Sequence, residues 1–441
     1  MPTLNSNETM QSCHKLPPFK FVEQENYLDR EEITDEDKEF FKTLDFDAEK
    51  DNPPKFLGLC NEWTSYYIGA TWLTNDRALV VTPKQIAYDE SQETDFIAMF
   101  LAALKFAPSS EYFSKFYGIN FDEPQIETES LDEQLTPLLI VHYLWCLNKV
   151  LSRGLKKDYV ICEENLKAKV RGRIMLQKNL QKNIFTQRLD RVYCKFQEYT
   201  VDIPENKLLK KALVFSQNYL NKFASDKNAF TEIDEHINNI KPAFSQVSDE
   251  IEVHEIKSIR KNKLFKEYTE TLRLAKMILQ RFDYSMTKSK SDLKSVPPFW
   301  IDMSRLYEVY VYSKLHAAYG DTVRFQVKGE CNSVVDFIKI DEQLIMDTKY
   351  KNYKKQTSND ILNDIRQLSG YARDEKILKA LNLHTEEKIV PCVIIYPELE
   401  PSSIKNETIF ESTVPILELV QGHKISGFRN FYRLCIKLPR K

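Results

Sequence analysis

The stretch Val334-Val335-Asp336-Phe337-Ile338-Lys339-Ile340-Asp341-Glu342-Gln343-Leu344-Ile345-Met346-Asp347-Thr348-Lys349-Tyr350 decides how the chain is read. Apolar residues crowd around two acids, and Asp341-Glu342 interrupts them as a polar turn. The pattern predicts two short strands, Val334–Ile340 and Leu344–Lys349. A hairpin symmetric about that turn sets Asp336 opposite Asp347, and directly opposed side chains share a face with Cβ atoms about 5 Å apart. Lys349 lies two residues beyond Asp347 and therefore points the same way.

Two carboxylates side by side in a half-buried sheet repel each other, so a fold that keeps them needs a compensating cation. Mg²⁺ suits such a pair because it accepts a few carboxylates together with water and phosphate oxygens, with Mn²⁺ as a substitute. Lys349 is then placed to orient an attacking water or to stabilise a pentavalent phosphate. A structural salt bridge is the alternative reading of the same three residues.

Outward from the hairpin, the chain predicts a helix at Asp302–Tyr319, a strand at Thr322–Val327, a helix at Asn359–Asp374 and strands at Ile389–Tyr396 and near Asn430–Leu438. This αβββαβ order gives a small sheet flanked by helices. Glu308 sits beside a partly apolar helix face, within reach of the metal position. Ser358 is the expected N-cap of the second helix, whose Ile361, Ile365, Leu368 and Ala372 form a core stripe. Asp364, Gln367 and Tyr371 share a neighbouring polar face, where Gln367 could hold water or phosphate. Lys351, Lys354 and Lys355 suit phosphate contacts, which position DNA without reading its sequence.

Upstream, the expected organisation is an acidic N-terminal arm (1–54), an α+β domain (55–152), a mixed, mainly helical basic region (153–290) and the C-terminal α/β domain (299–441). Ser65–Trp72 and Ala78–Thr82 read as a hairpin around Thr74-Asn75-Asp76. Phe96–Phe106 and Leu135–Leu151 have helical spacing. The Lys/Ser run Lys288–Pro298, closed by Pro297-Pro298, reads as a linker.

The net charge of −3 conceals an asymmetry, because residues 1–145 hold 11 Lys+Arg against 27 Asp+Glu while the remainder is basic. Local positive surface is what a polyanion requires, although solvated helical faces produce the same counts. The eight cysteines are scattered without a C-x-x-C pair, and the histidines form no H-E-x-x-H. Zinc chemistry and a disulfide framework are therefore not expected. No apolar run approaches the roughly 20 residues that span a bilayer, which predicts a cytoplasmic chain without a membrane partner.

These residues resemble the McrC nuclease subunits of modification-dependent (5-methylcytosine) restriction systems, within the PD-(D/E)xK superfamily. The resemblance rests on Phe299–Glu308, on Val335-Asp336, on Ile345–Lys351 and on Asp364-Ile365-Arg366-Gln367 with Tyr371-Ala372. Arg171-Gly172-Arg173-Ile174, Glu198–Leu208 with Asn206, Gly69, and Val81-Thr82-Pro83-Lys84 extend it to about residues 55–440. One departure is Val335, which stands where the superfamily often has Pro.

The resemblance implies an endonuclease subunit with Asp336, Asp347 and Glu308 as metal ligands and with Lys349 and Gln367 at the reacting phosphate. It further implies double-stranded, modified DNA as substrate and an AAA+ GTPase of the McrB type as partner. GTP would bind that partner, since this sequence has only ten glycines and no G-x-x-x-x-G-K-[ST]. The acidic N-terminal part would then face the motor, while basic residues such as Arg171 and Arg173 would line the DNA path. A stand-alone repair nuclease and a non-catalytic adaptor of a motor are the competing readings.

Overall fold

The computed structural model describes residues 18–30, 32–44, 55–60, 62–84, 94–105, 116–120, 123–127, 132–223, 237–248, 250–251, 266–287, 295–383, 389–398 and 414–439. The first strands in chain order are β1 (Phe19–Val22), β2 (Tyr67–Trp72), β3 (Ala78–Thr82), β4 (Tyr117–Ile119) and β5 (Ile126–Glu127). Next come β6 (Asp158–Lys167), β7 (Arg173–Ile174), β8 (Arg191–Thr200), β9 (Ser295–Val296) and β10 (Phe299–Asp302). The last five are β11 (Val323–Lys328), β12 (Val334–Lys339), β13 (Leu344–Thr348), β14 (Cys392–Glu398) and β15 (Phe431–Lys437). One compact unit joins Met1–Leu135 to Asp292–Lys441, and Thr136–Ser291 forms the other.

The expected hairpin is present, with β2 and β3 antiparallel and Gly69 opposite Val81. Its sheet runs β1-β3-β2-β10-β4. Residues 18–44 are not a free acidic arm, because β1 pairs in parallel with β3. Asp35, Glu36 and Glu39 are exposed on a segment whose Phe21, Tyr27 and Phe41 are buried together, while Glu23 is itself buried. Each such aromatic stabilises the fold by roughly 1.5–3 kcal/mol through burial.

The boundary at Phe299 also falls inside a sheet. β10 lies between β2 and β4, antiparallel to both. Pro297-Pro298 lacks backbone N–H groups and therefore delimits a strand at this point, while the Pro298 carbonyl still accepts from Asn120 N at 2.7 Å. The N-terminal sheet and the C-terminal segment thus share one unit.

The second sheet of this unit runs β11-β12-β13-β14-β15. Strands β11, β12 and β13 are antiparallel neighbours, and β14 and β15 continue in parallel. The Met303–Tyr319 helix follows β10 directly and is capped by Asp302, which accepts from Ser304 N and Arg305 N. Between β13 and β14 lies the Ser358–Tyr371 helix. The αβββαβ order therefore holds in outline. The N-cap is Thr357 rather than Ser358, because Thr357 and Asp360 form a reciprocal capping box. Ile365 and Leu368 join Val335, Ile345 and Ile394 in the core under this helix, with Ile361 and Ala372 packed at its edge.

The other unit, expected to be mainly helical, is part ribbon. Its ten-residue strands β6 and β8 pair antiparallel from Asp158↔Thr200 to Lys167↔Arg191. Two long helices, Pro204–Phe223 and Lys266–Thr287, accompany them in that unit. Asn206 is buried and structural, since it donates to Lys156 O and Val201 O and accepts from Tyr268 OH. The connection between β7 and β8 leaves large apolar side chains in solvent, with Leu176, Phe185 and Leu189 at 73%, 76% and 79% exposed. Among the described residues no helix is long and apolar enough to cross a membrane.

Candidate active site

Alternation along β12 and β13 fixes where the acids point. The paired register is Phe337↔Met346, Ile338↔Ile345 and Lys339↔Leu344, and one further step sets Asp336 against Asp347. Asp347 is 1% exposed. Asp336 Oδ2 accepts from Thr348 N at 2.7 Å and Thr348 Oγ1 at 2.6 Å, which locks that carboxylate in orientation. Thr348 is a holding residue that the sequence reading did not single out.

Lys349 Nζ lies 2.6 Å from Asp347 Oδ2. That ammonium is the cation paired with this buried oxygen. Lys349 also donates to Gln367 Oε1 at 2.9 Å, and Gln367 Nε2 donates to Tyr371 OH at 2.9 Å. Asp336, Asp347, Lys349 and Gln367 are therefore brought together as expected.

Glu308 is buried on the Met303–Tyr319 helix and accepts from Gln326 Nε2 at 3.1 Å. Gln326 lies on β11 with φ +47°, a left-handed conformation that a non-glycine residue rarely adopts. Strain of this kind concentrates where a side chain must be aimed. Glutamine is not a residue type that announces positive φ, which is why its part in the site was not legible.

Burial dominates the electrostatics. It pushes Asp336 up to about 7, with the Glu308 charge adding and the Thr348 hydrogen bonds opposing. It likewise pushes Asp347 up to about 7, with Asp336 adding and Lys349 opposing. Burial alone would lower Lys349, but Asp347, Asp336 and Asp364 together hold it above its ordinary value. The ion pair is thus unequal, because the lysine answers to several carboxylates while Asp347 is also crowded by Asp336.

Among the described residues no three His, Cys, Asp or Glu side chains form a cluster able to hold a metal ion. Mg²⁺ asks for less, since one or two carboxylates with water and phosphate oxygens suffice. Asp336 and Asp347 supply two hard oxygen donors, and the mutual repulsion that the Asp336 charge brings to Asp347 is what a cation between them would relieve. The residues fit the ion on those grounds.

The remaining expected DNA contacts divide. Lys351 is committed to the buried Asp364, at 3.2 Å and 3.3 Å from its two oxygens, so it braces the fold more than it offers a free cation. Asp364 also accepts from Gln356 Nε2 and Tyr396 OH, which removes it from the polar helix face it was expected to share with Gln367. Lys354 is exposed in the short turn Tyr353–Lys355, whereas the side chain of Lys355 lies outside the described residues. Arg171 and Arg173 belong to the other unit. Arg171 pairs with Glu198 at 3.2 Å and stacks 4.4 Å above the Phe196 ring, while Arg173 is exposed on β7.

The family described as McrBC 5-methylcytosine restriction system component matches residues 64–381. The chain belongs to the McrBC family. That match takes in β2 to β13 and ends just beyond the Glu375–Ala380 helix, leaving out β1, β14 and β15, and it includes Asp336, Asp347, Lys349 and Gln367. No curated protein matches this McrBC-family chain. Among solved structures it is similar to a refined half-complex from the tetradecameric assembly of Thermococcus gammatolerans McrB AAA+ hexamers with bound McrC. The identity is 15%, the coverage is 95% of this chain and 94% of that chain, and the TM-score is 0.37. It is also similar to the Thermococcus gammatolerans McrBC complex solved by cryo-EM, with 15% identity, 68% and 87% coverage and a TM-score of 0.29.

Proposed function

We propose that this chain is the DNA-cleaving subunit of a McrBC-type restriction system, with a PD-(D/E)xK centre that hydrolyses phosphodiester bonds. The observation that carries the proposal is the convergence of Asp336, Asp347 and Lys349 on adjacent strands, with Gln367 bonded to the lysine. When bound, Mg²⁺ would supply Lewis-acid polarisation and neutralise charge on the phosphodiester. Asp336 and Asp347 would hold it, and the Glu308 charge near Asp336 would add to its attraction.

The protein's own contributions follow from the geometry. Thr348 fixes the Asp336 carboxylate so that its second oxygen stays turned to the site. Lys349 stays protonated and presents positive charge where the phosphate gains negative charge in the transition state. Gln367 restrains the lysine from one side and leaves Tyr371 to restrain Gln367. Replacing Lys349 by Ala is expected to lower cleavage by about 10²–10³-fold while partner assembly persists. Wild-type cleavage by the variant would favour the non-catalytic adaptor reading.

Cutting DNA by such a system calls for a motor, and this sequence contains no G-x-x-x-x-G-K-[ST]. We therefore assign an AAA+ GTPase of the McrB type as partner and modified double-stranded DNA as substrate. The partner surface is moved from the acidic N-terminal part to the ribbon unit. Phe19–Val22 pair into the first sheet, whereas Leu176, Phe185 and Leu189 present large apolar side chains to solvent within one short stretch of chain. Changing Phe185 and Leu189 to Ser is expected to abolish co-elution with the motor and leave thermal stability unchanged. Intact co-elution would return the partner surface to the acidic face.

A further inference from the structure

The turn after β1 reaches the hairpin that carries the candidate site. Glu23 and Gln24 lie on that turn, and Gln24 has φ +56°, outside the range that most side-chain-bearing residues adopt. The backbone there is held by Glu23 N donating to Thr82 O at 3.0 Å and Gln24 N donating to Ser65 O at 3.1 Å. Both side chains meet Tyr350, the residue directly after Lys349. Tyr350 OH donates to Glu23 Oε1 at 2.9 Å, and Gln24 Nε2 donates to the Tyr350 carbonyl at 2.8 Å.

Lys84, just beyond β3, closes the cluster. Its backbone N–H donates to Glu23 Oε1 at 3.1 Å and its Nζ donates to Gln24 Oε1 at 3.0 Å. The same Nζ stands 3.6 Å from the centroid of the Tyr350 ring, a cation–π contact in a shielded setting. Tyr350 is buried on its other side against Tyr307, with ring centroids 5.4 Å apart. On the strand side, Lys349 N donates to Ile395 O at 2.9 Å, after which Lys351 N turns back onto Lys349 O at 2.8 Å. The chain therefore leaves the sheet at Lys349 and is gripped one residue later by the N-terminal sheet.

We propose that Glu23, Gln24 and Lys84 are positioning residues that fix Lys349 for hydrolysis by clamping Tyr350. This rests on the reading of Asp336, Asp347 and Lys349 as a hydrolytic centre. It gives the N-terminal sheet a second purpose beside folding. The sheet holds one flank of the site through β10 and the helix that bears Glu308, and the other flank through Tyr350. A displacement of about 1 Å at a reacting group costs on the order of 10²-fold in rate, so a loose clamp would be felt in catalysis before it is felt in binding.

The test uses the full chain with its motor, GTP, Mg²⁺ and modified DNA, and four variants: Gln24→Ala, Glu23→Ala, Glu23→Gln and Lys349→Ala. Gln24→Ala and Glu23→Ala are expected to slow single-turnover cleavage by about 10–10²-fold. DNA affinity measured with Ca²⁺ in place of Mg²⁺ is expected to stay as in the wild type. Hydrogen–deuterium exchange of the peptide spanning 348–351 is expected to quicken in both. Glu23→Gln keeps an acceptor oxygen for Tyr350 OH and is expected to restore most of the rate. Unchanged exchange and unchanged rate in Gln24→Ala, with cleavage lost in Lys349→Ala, would overturn the clamp and spare the nuclease reading. Rate and DNA affinity falling together in Gln24→Ala would also overturn it. Full cleavage by Lys349→Ala would overturn the nuclease reading, and the exchange result would then report the clamp alone.

Discussion

Asp347→Asn is expected to abolish Mg²⁺-dependent cleavage and, in the absence of metal, to make the chain more stable at pH 8. The two effects have one origin. Asp347 is buried and Asp336 half-buried beside it, and each is pushed up to about 7 by desolvation and by a neighbouring carboxylate. In the unfolded chain they would lose their protons near the ordinary aspartate value of about 3.9. Between those limits the folded chain binds more protons than the unfolded one, so stability falls as pH rises from about 4 to about 7. Above that window the whole penalty is present.

The asparagine removes one buried charge and relieves the other, so its melting temperature is expected to exceed the wild type's by several degrees at pH 8 with chelator. Near pH 4 the two should coincide. Mg²⁺ is expected to raise the wild-type melting temperature at pH 8 and to leave the variant's unmoved. Cleavage should fall by at least about 10²–10³-fold, because an amide is a poor substitute for an anionic ligand. A variant less stable than wild type at pH 8 without metal would show that the carboxylate pair is not under strain.

The second large effect is expected at Gly69. Its φ is +141°, and a Cβ built there would lie 2.1 Å from Phe299 O and 2.9 Å from Phe299 C. The obstructing atoms are backbone, which has no rotamer to yield. Gly69 lies opposite Trp300, so even Ala must push β10 away from β2. Destabilisation by about 2–4 kcal/mol is expected in chemical denaturation. Since β10 runs directly into the Met303–Tyr319 helix, Glu308 should shift and cleavage should suffer as well. Unfolding within about 0.5 kcal/mol of wild type would mean that the two strands can separate at no cost.

What was legible in the sequence was what local periodicity encodes. The alternation of Val334–Tyr350 and its two-residue polar turn gave the register that sets Asp336 against Asp347. The helix–strand order around it followed from spacing and flanking turn residues. What was not legible depended on distant partners. Phe299–Asp302 looked like the start of a domain because Pro297-Pro298 precedes it, yet its partners are Tyr67–Ala70 and Tyr117–Ile119, far back in the chain. The acids of residues 23–51 drowned out Phe19, Phe21, Tyr27 and Phe41, whose clustering is visible only once β1 is paired.

Side-chain commitments were also hidden. A row of lysines after Lys349 suggests phosphate contacts, but Lys351 is claimed by Asp364, and a sequence does not show which lysine has a buried acid waiting. Thr348 and Gln326 carry no motif of their own. One is found only from its two hydrogen bonds to Asp336, the other from its left-handed backbone and its hydrogen bond to Glu308.

The most direct measurement is cleavage of modified and unmodified DNA by the full chain with an AAA+ motor of the McrB type, GTP and Mg²⁺, comparing wild type with Asp336→Ala and Lys349→Ala. The expected result is Mg²⁺-dependent cleavage by the wild type and a loss of at least about 10²-fold in either variant, with motor assembly intact in all three. Cleavage at the wild-type rate in both variants would contradict the assignment of this hairpin as the hydrolytic centre.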